Sequence, residues 1–495
     1  MNLDPRSVPY RIFENGLRLV GIVVFSAFAS SGNGMNMGGF VLFLAAGLAL
    51  AVGQQIAYVR RYEYRVTADT FDIRSGVLSR REREIPFERI QNVDIAQNVV
   101  QRALGIAEVR LETAGGSESE ARLRYVSRGE ATRLQNLISD RKRSETAGEA
   151  PPEDTDEEVL FELDQRELAV LGVTSANFRF AGFLVVGLSL LGSPVAAREV
   201  SPRVGLLLLL GPAFAAAGLV LLWLASGVQA VLRYYGFQLS RQGEELRYER
   251  GLLQQYNGTI PVSKIQTLMI RENVLARAVG YGSLAIETAG YAPGQDGNVE
   301  SAVPIARRDR VLELARTIED VGDLPFERPP KRARTRYVAR YTIIVGLLTG
   351  ILGGIQFVTG ELPYWYLGAG LWLLVPPAAH LKWSHLGYQF DDEYVITRSG
   401  FWTRRTTIVP TYRVQTLSDS QTIFQRRRDL GTLVVDTATS GGFWGGDAVA
   451  LDIDIERAQA LRETVHDQFQ RSLRERQRRA REGRPQQERE PPLGG

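Results

Sequence analysis

Cysteine is absent from the 495 residues, which removes disulfides, thiolate nucleophiles and cysteine-based metal sites together. Histidine is nearly absent. His380, His385 and His466 are the three imidazoles, and no two are spaced to share one helical face, so no metal centre is expected. A surplus of one charge is missing too: 59 Lys and Arg against 56 Asp and Glu leave a formal +3, which gives no global signature for nucleic acid. No nucleophile turn, glycine-rich phosphate loop or recurring carboxylate pair is visible. Neither an enzyme, a cofactor nor a small-molecule substrate is expected.

What is present is an alternation. The mean hydropathy of -0.12 averages over apolar and charged blocks in a chain too long for one ordinary core. One seven-residue phrase is written three times: Ile85-Pro86-Phe87-Glu88-Arg89-Ile90-Gln91, Ile260-Pro261-Val262-Ser263-Lys264-Ile265-Gln266 and Val409-Pro410-Thr411-Tyr412-Arg413-Val414-Gln415. A glycine (Gly76, Gly251, Gly400) stands ten residues before each proline. The Thr of a Glu/Asp-Thr-Ala triplet (Glu112-Thr113-Ala114, Glu287-Thr288-Ala289, Asp436-Thr437-Ala438) follows each closing Gln by 22 residues. Agreement at that many fixed offsets marks an internal repeat.

Residues 1–60 hold a basic start and a first transmembrane hairpin. Its first apolar run, about Leu19 to Ala29, falls short of the roughly 20 residues a span needs; its second, Phe40 to Val59, has no charge and is closed by Arg60 and Arg61. Residues 61–143 change to period-two alternation broken by turn residues, which reads as about seven antiparallel strands. A helix closes the block, with Ala131, Leu134, Leu137 and Ile138 on one face. An acidic linker fills 144–162, of which 144–158 reads as disordered. The pattern then recurs: a hairpin at 163–232, a β domain at 233–322, a basic linker at 323–336, a hairpin at 337–383 (Tyr337 to Thr359, then Tyr364 to Leu381) and a third β domain at 384–470. A basic disordered tail fills 471–495. An even number of spans between β domains puts all three on one side. Uncharged 31–39 and nearly uncharged 358–363, with 192–203 a mild exception through Arg198 and Arg203, stand opposite Arg60, Arg61, Arg233, the Lys331 cluster and Lys382, so a multi-pass cell-membrane protein with cytoplasmic termini and β domains is expected.

Proline cannot donate to a ladder, so the phrase belongs at a strand end, and the glycine suits a turn that needs positive φ. The basic residue three past the proline (Arg89, Lys264, Arg413) keeps its sign, as does the acid of the triplet (Glu112, Glu287, Asp436), always 23 residues apart. These are expected to be structural ion pairs across the sheet. The alternative, a carboxylate for acid–base work, lacks a recurring second carboxylate or His beside it. The turns after the glycines are candidate contacts with anionic headgroups through Arg80, Arg81, Arg83, Arg404 and Arg405, at about 1 kcal/mol each; the turn Gly251 to Tyr256 holds no cation. Three adjacent apolar pairs, Val99-Val100, Val274-Leu275 and Ile423-Phe424, sit in polar loops. They read as staples on their own barrel or as an exposed patch for lipid or a partner.

The phrase, the triplet and the alternation with apolar pairs resemble the membrane-flanked bacterial and archaeal pleckstrin-homology (PH) proteins of the YdbT-like family, over nearly the whole chain apart from linker and tail. The resemblance implies a seven-stranded, partly open barrel capped by a C-terminal helix and no catalysis. The fold class expected is therefore a multi-domain membrane protein: six transmembrane helices in three hairpins alternating with three PH-like β-barrel domains. The function expected is a membrane scaffold whose PH-like domains associate with protein partners or one another. The alternatives are a lipid-headgroup-binding or envelope-protection protein and an accessory subunit of a transporter. A transport route through the helices themselves is disfavoured, since their interiors hold few ionisable residues.

Overall fold

The computed structural model describes residues 3–12, 14, 49, 52–77, 79–113, 121–146, 157–175, 211–288, 300–319, 321–322, 326–360, 365–391, 393–437 and 448–463. The chain divides into two units, Met1–Leu163 with Leu232–Lys264, and Asp164–Val231 with Ile265–Gly495. The division at Lys264 falls inside the second repeat, not between repeats.

In the first unit, β1 (Glu63–Val66), β2 (Thr70–Ser75) and β3 (Arg81–Pro86) form an antiparallel sheet. The chain then turns a corner. Pro86 ends β3, Phe87–Arg89 wind one 3-10 turn, and Ile90 opens β4 (Ile90–Asn98). The missing proline N–H falls where the ladder stops, and the next amide, Phe87 N, donates to the Asp69 carbonyl at 3.1 Å. A short helix α1 (Val99–Leu104), β5 (Ile106–Thr113), β6 (Ala121–Ser127) and α2 (Arg128–Thr146) complete the repeat. Phe71, Ile73 and Ile85 of the first sheet, Phe87 of the corner, Val93, Val109, Leu111 and Leu123 of the second, and Leu134 and Ile138 of α2 form one core. Phe71 and Phe87 are fully buried, worth about 1.5–3 kcal/mol each. Two sheets and a capping helix around one core are the PH-like arrangement.

The second sheet does not stop at its own repeat. β7 (Glu158–Glu162), β8 (Gln238–Gln242), β9 (Glu245–Arg250) and β10 (Gln254–Pro261) extend it to seven strands in the order β6-β5-β4-β10-β9-β8-β7.

The second unit opens with α3 (Gln165–Thr174) and most of α4 (Gly211–Tyr234). Its larger sheet is again composite. β11 (Ile265–Asn273), β12 (Tyr281–Thr288) and β13 (Glu300–Arg307) join β14 (Gly387–Phe390), β15 (Tyr394–Ser399) and β16 (Thr403–Pro410) in the order β13-β12-β11-β16-β15-β14. Short α5 (Val274–Ala278) links β11 to β12, and α6 (Arg308–Ile318) follows β13 with Val311, Leu314, Ala315 and Ile318 buried, as its periodicity requires. The third repeat continues through α7 (Lys331–Thr359) and α8 (Val375–Ser384) before β14. It ends in a sheet of β17 (Thr416–Ser420), β18 (Leu430–Asp436) and β19 (Ala448–Asp454), with α9 (Ile423–Arg426) between the first two and a helix at 455–463. Val395 and Val409 pack on Val414, Val435 and Ala448, joining both sheets of this repeat.

Several expectations change here. Among the described residues two helices, Ala216–Tyr234 and Lys331–Thr359, are long and apolar enough to span a bilayer, in place of the six expected. The runs Leu19 to Ala29, most of Phe40 to Val59 and Phe180 to Ala197 lie outside the described residues. The run Tyr364 to Leu381 is not one α-helix: Trp365–Leu374 winds as a 3-10 helix, and α8 begins at Val375 with Pro376 and Pro377 in its first turn. Two successive prolines withhold two donors and crowd the preceding turn, so a regular α-helix cannot run through them. Glu158–Glu162, expected within the acidic linker, is strand β7 paired with β8, because Phe161 is buried and repays the ordering. Lys331–Arg336, expected as linker, begins α7. The first and third repeats show six strands among the described residues, against about seven expected.

Candidate interaction site: the strand-shared junctions

Each repeat begins its third strand with the glycine turn. Gly76, Gly251 and Gly400 have φ of 113, 105 and 91°. A Cβ on them would lie 1.8, 1.9 and 2.1 Å from the carbonyl oxygens of Ser79, Gln254 and Thr403. No other residue closes this turn.

The turn matters because it sets a register between repeats. At the first junction, β10 runs antiparallel to β4 with Gln254 opposite Asn98 and Tyr256 opposite Ala96. At the second, β16 runs antiparallel to β11 with Thr403 opposite Asn273 and Arg405 opposite Arg271. In both, the residue three past the glycine faces the N-cap of the short helix that follows the partner strand. An arginine of that helix then seals the turn: Arg102 Nη2 donates to the Leu252 carbonyl at 2.6 Å, and Arg277 Nη1 to the Phe401 carbonyl at 3.2 Å. Leu252 and Phe401 are each the residue after the turn glycine.

The segments holding the apolar pairs are one-turn helices, not loops. The side chains of Asn98, Asn273 and Thr422 cap them by accepting from the backbone N–H groups of Gln101, Ala276 and Gln425, which satisfies orphan donors of the first turn. Val99, Val100, Leu275, Ile423 and Phe424 are exposed, Ile423 at 68%, and Val274 is half-buried. Five of the six are thus more exposed than a packed staple would be. The Leu252 N–H donates to the Leu232 carbonyl at the end of α4, and the Phe401 ring packs edge-on to His385 just past α8 at 5.3 Å. Exposed Leu252, Leu253 and Trp402 therefore lie beside the ends of apolar helices.

The seams differ in charge. At the second, buried Glu272 accepts from Arg404 Nε and Nη2 at 2.7 Å each, with Arg308 at 3.6 Å. One carboxylate thus serves several guanidiniums. Arg398, over the Phe326 ring at 3.5 Å, is pushed down to about 10, by burial first and then by the Arg404 and Arg308 charges. His385 is also lowered, by burial first and by Arg277, Arg404 and Arg398, against its hydrogen bond to the Leu381 carbonyl. At the first seam the matching residue is Gln97, buried, donating to the Ile106 carbonyl at 2.7 Å. A polar groove of about 300 Å³ runs beside it, lined by Gln97, Gln135, Glu157, Ser240 and Asn257 among others.

The sequence-predicted sites fall as follows. Arg80, Arg81 and Arg83 are exposed on β3 and the turn before it, and Arg405 is exposed on β16. Arg404 faces Glu272. The corners bring the basic residues' backbones beside the triplets: Ile90 pairs with Thr113, Ile265 with Thr288, and Gln415 N donates to the Asp436 carbonyl at 2.9 Å. The Glu112 side chain lies outside the described residues. Sequence reasoning missed Glu272 and Asp452. Asp452 is fully buried with φ of 56°; Arg336 and Tyr337 at the start of α7 and Gln425 Nε2, the last at 2.8 Å, converge on it. The signal was an acid in phase with Ala448 and Ala450 on the inward face of β19. Among the described residues no three of His, Asp and Glu gather to hold a metal.

Known proteins bear on this architecture. The bacterial PH domain pattern matches residues 17–142, 175–321 and 342–469. The chain is also 26% identical over 418 residues, 79% of its length and 82% of the relative's, to the UPF0699 transmembrane protein YdbT of Bacillus subtilis (strain 168). No solved structure matches.

Proposed function

The chain belongs to the bacterial PH domain family, and from that premise we propose that it is a non-catalytic scaffold of the membrane whose three PH-like domains associate through protein contacts at its inner face. The observation that carries this reading is the strand sharing of β4 with β10 and β11 with β16. Pairing of exposed strand edges is a mode of protein–protein recognition in which main-chain hydrogen bonds supply affinity. The topology that goes with it has three hairpins and cytoplasmic termini, supported by the Lys and Arg clusters flanking the apolar segments. Its test uses the absence of cysteine. Ala96→Cys with Tyr256→Cys, and separately Ile270→Cys with Thr406→Cys, should each form a disulfide within one full-length chain in native membranes; if neither does, the reading fails. Impermeant thiol labelling from the outside should miss cysteines placed in the three domains.

A second reading, contact with lipid, is favoured by the exposed apolar residues beside the helix ends. Leu252, Leu253, Trp402 and Phe424 would rest in the headgroup region. Fluorescence of the full chain in vesicles containing brominated lipid tests it: the quenching lost on Trp402→Phe should be a large share of the total, and no difference would sink the idea.

A further inference from the structure

Among the described residues, two junctions among three repeats leave one edge of each kind over. β3 is the first repeat's counterpart of β10 and β16, and it ends its sheet; β17 is the third repeat's counterpart of β4 and β11, and it also ends its sheet. We propose that a second copy of the same chain completes the series, with β17 of one copy pairing antiparallel to β3 of the next in the register of the internal junctions. This rests on the scaffold reading above and names its partner.

Both edges look like junction halves without their mates. β4 and β11 run nine residues, whereas β17 stops at five. β11, flanked on both sides, is buried almost throughout; β17 alternates between exposed and half-buried, and Arg81 to Glu84 of β3 are all exposed. The local devices are nevertheless in place. Gly76 holds the turn at φ 113°, and Thr422 caps α9 as Asn98 and Asn273 cap theirs. Gln421 donates to the Leu430 carbonyl at 2.8 Å, as Gln97 does to Ile106 at 2.7 Å.

Carrying the register over sets Thr422 opposite Ser79, Gln421 opposite Arg80, Ser420 opposite Arg81 and Ser418 opposite Arg83. Arg80 then takes the place that Arg404 holds against Glu272. Arg426, the counterpart of Arg102 and Arg277, would donate to the Val77 carbonyl, which in the single chain accepts from Arg61 Nη1 at 2.9 Å. The register also sets Asp419 opposite Glu82, but each acid already has a cation, Arg462 at 2.5 Å and Arg74 at 2.7 Å, so the like charges are neutralised before they meet.

The experiment uses full-length protein in lipid nanodiscs and native membranes. Copies carrying Arg81→Cys with one tag and Ser420→Cys with another, mixed and oxidised, should give a disulfide-linked dimer, while Glu84→Cys with Ser420→Cys should not. Glu82→Pro, which removes a ladder donor at the outer edge of β3, should weaken association about tenfold or more. Gln421→Glu, which recreates the acid–arginine pair of the second junction, should strengthen it by roughly threefold to tenfold. Equal crosslinking by the off-register pair, or an Arg81→Cys/Ser420→Cys double variant that closes only within one chain at every concentration, overturns the proposal. The Ala96/Tyr256 disulfide separates the two levels. If it forms and the inter-copy bond does not, the scaffold's internal junctions stand and self-assembly falls; if it too fails, the reading beneath falls first.

Discussion

Where the first junction sets Gln97 opposite Gln255, the second sets Glu272 opposite Arg404, although turn, register, helix cap and sealing arginine are the same in both. Backbone hydrogen bonds and a glycine fix how one repeat meets the next. The side chains along the seam then set its strength and its response to conditions.

The largest expected effect breaks that contrast directly. Glu272→Ala strands Arg404, Arg398 and Arg308 without their shared carboxylate and should cost about 3–5 kcal/mol, whereas Gln97→Ala, which leaves one carbonyl without its donor, should cost about 1 kcal/mol. Denaturant unfolding of both full-length variants in detergent measures the difference, and equal losses would mean that charge at the seam is irrelevant. Next comes acid. His385 holds its proton less tightly folded than unfolded, so the unfolded chain takes up protons first as pH falls below the ordinary histidine value of about 6.5. The stability tied to its neutral form is complete above that pH and lost below it. Thermal unfolding between pH 7 and 5 should therefore show a fall in the second unit that His385→Gln abolishes; the first junction has no histidine. The smallest effect concerns the edge with no junction. Asp429 has φ of 51° where Gly105 and Gly280 have 69 and 77°, so Asp429→Gly should stabilise by about 1 kcal/mol, read as a small rise in melting temperature.

The repeated phrase was legible because it encodes local geometry. Proline at a strand end, a 3-10 turn and an apolar residue opening the next strand form the corner at Pro86, Pro261 and Pro410 alike, and side-chain identity carries that information. The faces of α2 and α6 were legible for the same reason. Strand sharing was not, since Asn98 and Gln254 meet through backbone atoms that every residue has. The uncharged turn at Gly251 looked like a failed ligand loop, but its leucine carbonyl is the acceptor for Arg102. Glu272 escaped notice because a charged residue reads as surface until a partner strand arrives to bury it.

The distance along the chain between paired strands has a consequence in time. Asn98 and Gln254 are 156 residues apart, and a ribosome adding about 5–20 residues per second needs on the order of ten to thirty seconds to cover that stretch. Through that interval one edge of β4 stands open, and it can recruit β10 of its own chain or the same strand emerging from a neighbouring ribosome. Spacing translating ribosomes, or inserting the second hairpin promptly, decides which of the two arrives first.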